Sequence, residues 1–368
     1  ILHDPINILE ANAVPILVAI DERGIVRSTR PVLATFQTDF LDKIFTDVAN
    51  GDHASRIGPA VNKDTRNPDW DAVRTRAKTV GDAPAWRELG DACALWGGIA
   101  RLEEALDAYN HAVKLDPKDG AAWFRLGACF RRRSESMLHR TGDFQAAIDC
   151  WSRALDIDPN QYIWRRRIQQ YGPRLDKPYS FYDWVDVAEK DIRARGAAPL
   201  PLAVRPGGAE IAQPLKTLPA SAEAVRNPDP DGRVNRDKER LIRAEVTVAP
   251  ARIRPGQAVR IHVDFRLNPA KQAHWNNEAE SLRMWVKPPE GWQVSDRLLT
   301  APAAREPVSG EMRELDIEIK APKEARDKVC IGAYALYNIC DDKGGQCRFL
   351  RLDVPIQVLV SSADKAIK

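Results

Sequence analysis

Two cysteines, Cys340 and Cys347, are the one pair of reactive side chains that local sequence brings together in this 368-residue chain. Tyr334, Leu336 and Ile339 precede them and Phe349, Leu350, Leu352 and Val354 follow, with Gly344-Gly345 between. Apolar residues on either side of a Gly-Gly turn predict a β-hairpin with Cys340 opposite Cys347. Opposed residues of an antiparallel pair have Cα atoms roughly 4.5–5.5 Å apart, and a disulfide needs about 4.4–6.8 Å. The bond is therefore expected to form with little strain and to be open to reduction.

Reactivity requires a stabilised thiolate. Lys343 and Arg348 would lower a cysteine pKa here, Asp341 and Asp342 would raise it, and no histidine is adjacent in sequence. The four charges nearly cancel. The pair thus reads as an ordinary disulfide, either structural or the substrate of another thiol protein. Cys330 lies ten residues before Cys340 on one strand, about 33 Å away at ~3.3 Å per residue, and is expected to be buried and free. Cys93, Cys129 and Cys150 fall in helical segments and are expected to be small core residues.

No metal-ligand spacing of cysteine and histidine occurs, so neither a metal nor another cofactor is expected. His262 alternates with apolar neighbours and reads as a satisfied sheet residue, and His274 beside Trp275 as a loop anchor. A Gly-rich phosphate loop and a G-x-S-x-G elbow are absent from the sequence. Net charge is +3, with 55 basic against 52 acidic residues, too balanced to argue for nucleic acid. No apolar run approaches the roughly 18 residues that span a bilayer, and no signal peptide is visible. The first residue is Ile1, not Met, so the chain is expected to be processed or cut from something longer.

The elements that must position these residues form a multi-domain α+β chain. Residues 1–50 read as strand (15–20), turn (21–24), strand (25–28) and a helix with apolar spacing at 36, 40, 41, 44 and 45. Residues 51–82 read as a linker with Trp70 isolated. Residues 83–196 carry helical repeats and a cap. Residues 197–240 form a second linker, with seven prolines between Pro199 and Pro230. Residues 241–361 alternate as at least six strands, which argues an Ig-like β-sandwich, and 362–368 are a tail.

Three family resemblances follow from particular residues. Residues 1–50 resemble the C-terminal part of a thioredoxin-like domain, in which a Val/Thr-Pro pair precedes the fourth strand. Val14-Pro15 matches it, and the resemblance makes Pro15 the cis-proline candidate. The Cys-x-x-Cys that faces this proline in the family would lie upstream of Ile1. Residues 83–160 hold an internal repeat that resembles tetratricopeptide (TPR) repeats. Trp86, Leu89, Gly90, Ala105, Tyr109 and Pro117 form one copy; Trp123, Leu126, Gly127, Ala147, Trp151 and Pro159 form the next. Three extra residues in the first copy and eight in the second depart from the 34-residue pattern. The last domain resembles the amino-terminal domain of the DsbD thiol:disulfide interchange protein. That resemblance rests on His274-Trp275-Asn276 in a long connection, on Leu282 to Val294 running into a Pro-Gly-aromatic turn, and on the two cysteines near a hairpin tip. It implies that Cys340 and Cys347 are a redox pair passing electrons between thiol proteins, although the family's cysteines usually stand one residue closer.

These readings together predict an exported, periplasmic envelope protein. TPR helices would bind other proteins or peptides, and the sandwich would take part in thiol-disulfide exchange with a thioredoxin-type partner. Whether the chain is an enzyme is left open; the class would be thiol-disulfide oxidoreductase. The alternative is a non-enzymatic TPR scaffold in which Cys340–Cys347 is only a structural disulfide. A third class is an intracellular TPR adaptor, against which a hairpin cysteine pair argues, since such pairs persist in oxidising compartments.

Overall fold

A computed structural model describes residues 19–20, 26–28, 68–161, 164–165, 168, 184–200, 225–302, 304, 306–341 and 345–361. It is mixed α+β, with helices in the N-terminal half and antiparallel strands in the C-terminal part. Two compact units divide the chain, one of residues 1–129 with 202–204 and one of 130–201 with 205–368.

In the first unit, β1 (Ala19–Ile20) pairs antiparallel with β2 (Val26–Ser28). Pro15 and the expected helix at 36–45 lie outside the described residues. Residues 70–80, read above as linker, form helix α1 (Trp70–Val80). Its start and stop signals are present: the Asp69 side chain accepts from Ala72 N at 3.0 Å, and Gly81 ends it at φ +69°. Only Ala77 is buried along it, although Trp70, Val73, Ala77 and Val80 stand at helical spacing in the sequence. Arg74 Nη2 instead donates to Glu104 Oε2 at 2.8 Å, and Arg101 lies over the Trp70 ring at 4.0 Å.

Helix α2 (Ala83–Trp96) starts where Asp82 accepts from Ala85 N at 2.8 Å. It pairs with α3 (Leu102–Leu115), which buries Leu102, Ala105, Leu106, Tyr109, Ala112 and Val113, one face at helical spacing. A Cβ on Gly90 would stand 2.7 Å from the Tyr109 ring, so only glycine lets these helices approach as they do. The Tyr109 hydroxyl reaches Asp91 at 2.6 Å.

Two further helices follow, α4 (Gly120–Ser134), within which the boundary between the units falls, and α5 (Asp143–Ile157). The phrases Leu115-Asp116-Pro117 and Ile157-Asp158-Pro159 end α3 and α5 alike. Asp116 and Asp158 are both extended, at φ −128° and −131°, as a residue before proline must be. Helix α6 (Trp184–Ala194) lies in the expected cap.

The second unit also holds two antiparallel sheets around one apolar core, an arrangement compatible with a β-sandwich. One sheet has the order β3 (Ile242–Ala249), β4 (Ala258–Leu267), β10 (Arg313–Lys320), β7 (Gln293–Val294). The other has the order β8 (Leu298–Thr300), β6 (Arg283–Lys287), β11 (Asp327–Asp341), β5 (Ala273–Asn276), β9 (Val308–Ser309). Two strands follow, β12 (Cys347–Asp353) and β13 (Ile356–Val360), which break at Pro355, and both pair with β11. Proline cannot donate to a sheet ladder, so the break falls where the sequence requires it.

The stretch before β3, read as linker to residue 240, is held against this sheet from Asp229 onward. Asp229 N donates to the Tyr334 hydroxyl at 3.1 Å, and Asp237 accepts from the Tyr337 hydroxyl at 2.8 Å and from Ile242 N at 3.2 Å. Two buried acids replace the large apolar residues whose scarcity suggested a free linker. No described helix is long and apolar enough to cross a membrane.

Candidate redox site

Strand β11 is the organising element. Its odd-numbered residues Ile331, Ala333, Ala335, Tyr337 and Ile339 face the shared core. Its even-numbered residues therefore face the outer side of the sheet, where Tyr334 and Leu336 form a small cluster with Trp285. Cys340 belongs to this outer face.

The register places Cys340 directly opposite Cys347, and the two form a disulfide. Their Cα atoms are 3.9 Å apart, closer than the expected spacing. The neighbouring row explains the approach: Asp341 N donates to Gln346 O at 3.0 Å, so the cysteine row is the narrow, non-hydrogen-bonded position of the ladder. Gly345 sits in the turn at φ +62°, a conformation that suits glycine. Gly344, Asp342 and Lys343 lie outside the described residues.

The two cysteines differ in access. Cys340 is 5% exposed, whereas Cys347 is exposed. Strand β12 pairs with β11 on one side. On its other side, among the described residues, backbone bonds reach it at Arg351, from Asn235 and Asp237.

Register also corrects the charge argument. Arg348 stands opposite Ile339 and Asp341 opposite Gln346, one residue from the cysteine row. Consecutive strand residues point to opposite faces, so both charges project from the face away from the disulfide. Arg348 is committed to Glu239 at 2.6 Å, and this bond holds the Glu239 carboxyl below its ordinary range. The side chain that shares the cysteine face is His274, the direct partner of Cys340 across β5. His274-Trp275-Asn276 was expected in a loop; it is strand β5, with Trp275 fully buried against Tyr337 and His274 half-buried on the opposite side. Sixty-five residues of sequence separate His274 from its partner, so only the alternation of a buried Trp275 could have signalled the strand.

The remaining cysteines form no disulfide. Cys93, Cys129 and Cys150 are buried, but Cys330 is exposed, contrary to expectation. It pairs with Gln357 of β13 on the even-numbered, outer side of β11, so its strand position dictates exposure.

A second titratable group sits on the other sheet. His262 donates from Nδ1 to Asp316 at 2.8 Å and contacts Asp264 from Nε2 at 2.7 Å, under the edge of Phe144. Burial opposes its protonation, but the two carboxylates outweigh burial and raise its pKa to about 9. With Glu314, His262 and Asp264 bring ligand atoms within 4.8 Å of one another, a grouping that could hold a metal ion. Both imidazole nitrogens are already turned to carboxylates.

The repeat residues are structural. Leu89, Gly90, Ala105, Tyr109, Leu126, Gly127, Ala147 and Trp151 are buried. Trp86 is half-buried and stacks on His111 with centroids 4.3 Å apart. Half-buried Trp123 donates through Nε1 to the carbonyl of Pro117 at 3.1 Å, and Pro159 follows the end of α5.

No family model matches the chain. Solved structures similar to parts of it include AvmM, which catalyses macrocyclization in alchivemycin A biosynthesis (13% identity, 37% of this chain, 98% of that one, TM-score 0.24). Others are the sporulation control protein Spo0M of Bacillus subtilis (9%, 33% of this chain, 50% of that one, TM-score 0.19) and the fimbrial subunit AggA of Escherichia coli (9%, 33% of this chain, 95% of that one, TM-score 0.18). At these TM-scores the likenesses carry neither fold nor activity to this chain.

Proposed function

We propose that the chain is an exported envelope protein in which TPR-type helices bind other proteins and an Ig-like, DsbD-type domain takes part in thiol-disulfide exchange through Cys340–Cys347. One observation carries the reading: the bond lies on the outer face of the sheet, and Cys347, the residue nearer its edge, is exposed. Exposed disulfides are the ones that exchange. The class of partner is a dithiol protein of the thioredoxin type, and the thioredoxin-like N-terminal resemblance is in keeping with it.

The test is native thiol counting. The exposed Cys330 supplies a baseline of one accessible thiol, since the three helical cysteines are buried. Micromolar reduced thioredoxin should expose further thiols in the folded protein. A bond that opens only on unfolding would leave the alternative, a TPR scaffold stapled by a structural disulfide. The burial of Cys340 is the observation that favours that second reading.

A further inference from the structure

The sheet that lacks the disulfide carries a separate chemistry on its outer face. Val259, Ile261, Val263 and Phe265 of β4 and Leu315, Ile317 and Ile319 of β10 pack into the core. Their alternating neighbours His262, Asp264, Glu314 and Asp316 therefore project from the other side. The register sets Glu314 opposite Asp264 and Asp316 opposite His262. We propose that His262 Nε2, one oxygen of Asp264 and one of Glu314 bind a divalent ion of the zinc class, with Asp316 orienting the imidazole. The proposal is independent of the exchange reading.

Geometry supplies the first argument. The ligand atoms of His262, Asp264 and Glu314 lie within 4.8 Å of one another. Zinc bonds of about 2.0–2.2 Å at tetrahedral angles set ligand atoms about 3.3–3.6 Å apart, a contraction within reach of the long, exposed Glu314 side chain. The ring supplies the second. Nδ1 donates to Asp316 at 2.8 Å, and the edge of Phe144 lies against the ring. A metal-binding histidine gives its other N–H to just such a carboxylate, which fixes the tautomer and aims the free nitrogen. Here that nitrogen, Nε2, faces Asp264. Charge supplies the third. Like charges directly opposite on a sheet are destabilising, and Asp264 has Glu245 on one side and Glu314 on the other. Glu245 is met by His139 at 3.1 Å and Thr141 at 3.2 Å, and the second oxygen of Asp264 by Arg266 at 3.4 Å. The Glu314 carboxylate has no such partner among the described residues, and an ion shared with Asp264 answers the repulsion.

The donor set selects the ion. Magnesium and calcium take oxygen ligands, whereas an imidazole with two carboxylates suits zinc. Three protein ligands leave a fourth position for water or for an atom of a bound molecule. The ion and the Nε2 proton exclude each other. In the metal-free chain the proton bridges Nε2 to Asp264 Oδ1 at 2.7 Å; coordination releases it to solvent and makes His262 a neutral ligand.

Zinc titration of the full chain tests this, without an affinity tag and in a Cys330→Ser background that removes the exposed thiol. After stripping with a chelator, competition against a chromophoric zinc indicator should give one Zn²⁺ per chain, retained in excess Mg²⁺. Glu314→Gln, at an exposed position that leaves the fold intact, should weaken zinc binding at least about tenfold, and Asp316→Asn about 10–100-fold, the usual cost of losing an orienting carboxylate. Zinc should raise the Tm of the parent and raise that of Glu314→Gln less, because an ion that binds only the folded chain stabilises it. Three results each overturn the site: no zinc uptake by the parent, equal affinity in Glu314→Gln, or displacement by Mg²⁺ at comparable concentration, as a plain acidic patch would show. Equal affinity in Asp316→Asn overturns the orienting role of Asp316.

Discussion

Two histidines stand on antiparallel sheets, His262 between two strands and His274 at the end of its row, and their neighbours give them opposite characters. His262 has a carboxylate on each ring nitrogen and an aromatic edge above it. His274 has a disulfide beside it and a half-exposed ring. A histidine between two fixed charges is held as an imidazolium and serves as a joint. One beside a breakable bond stands where a change at that bond can reach it. Residue type is alike; the cross-strand partner decides.

The largest expected effect is on the joint. His262→Leu would leave Asp264, 8% exposed in its side chain, with Arg266 at 3.4 Å as its one ion pair among the described residues. An uncompensated buried charge costs about 3–5 kcal/mol, and urea unfolding followed by tryptophan fluorescence should show a loss of that size. A loss under about 1 kcal/mol would mean that solvent already screens the pair.

The same joint sets a pH dependence. The folded pKa of His262, about 9, lies above its unfolded value near 6.5. Its stabilisation is therefore complete below pH 6.5 and disappears as pH rises through about 9, on the order of 3 kcal/mol in all. On the acid side the sign reverses. Burial opposes ionisation of Asp264, but the His262 hydrogen bond and charge prevail and hold its pKa below the ordinary value. That contribution is present above the unfolded pKa and is lost as pH falls through the folded one. His262→Gln should flatten the alkaline limb of a Tm-against-pH curve.

The difference between the rows also marks how far sequence could be read. Strand alternation exposed β3, β4, β6, β10, β11 and the cysteine hairpin, because each buries one face and so carries a period of two. Asp264 as a partner of His262 was within reach, two residues along one strand. Asp316 was not, because only the β4–β10 register sets it opposite. His274 failed for the same reason, and β5 is too short to show a period. Helix α1 escaped because Asp, Arg, Thr and Lys stand among its spaced apolar residues Trp70, Val73, Ala77 and Val80, although Asp69 and Gly81 announced its ends. Local signals carried the elements; the two rows are products of pairing between distant strands.

The disulfide should matter less to stability than the joint. It closes a loop with a sequence separation of 7, and chain-entropy arguments give about 2.5 kcal/mol for so short a loop as an upper figure. A hairpin already held by the Asp341–Gln346 bond gains less. Cys340→Ser with Cys347→Ser should therefore cost at most about 2 kcal/mol and leave the fold's far-UV circular dichroism unchanged. A larger loss would place the bond with the structural staples and remove the contrast between the rows.

The smallest expected change is the sharpest. His274→Ala should shift unfolding free energy by no more than about 1 kcal/mol, the ordinary range for a partly exposed side chain. The core contacts of β5 come from Trp275, which packs on the other face against Tyr337, and from its Nε1 donating to the Glu311 carbonyl at 2.8 Å. Those contacts survive truncation at 274, so the strand and the register that sets Cys340 opposite it should survive as well. Stability must then be nearly unchanged in this variant. If it falls as far as in His262→Leu, His274 holds the strand in place, and the two histidines are joints of the same kind.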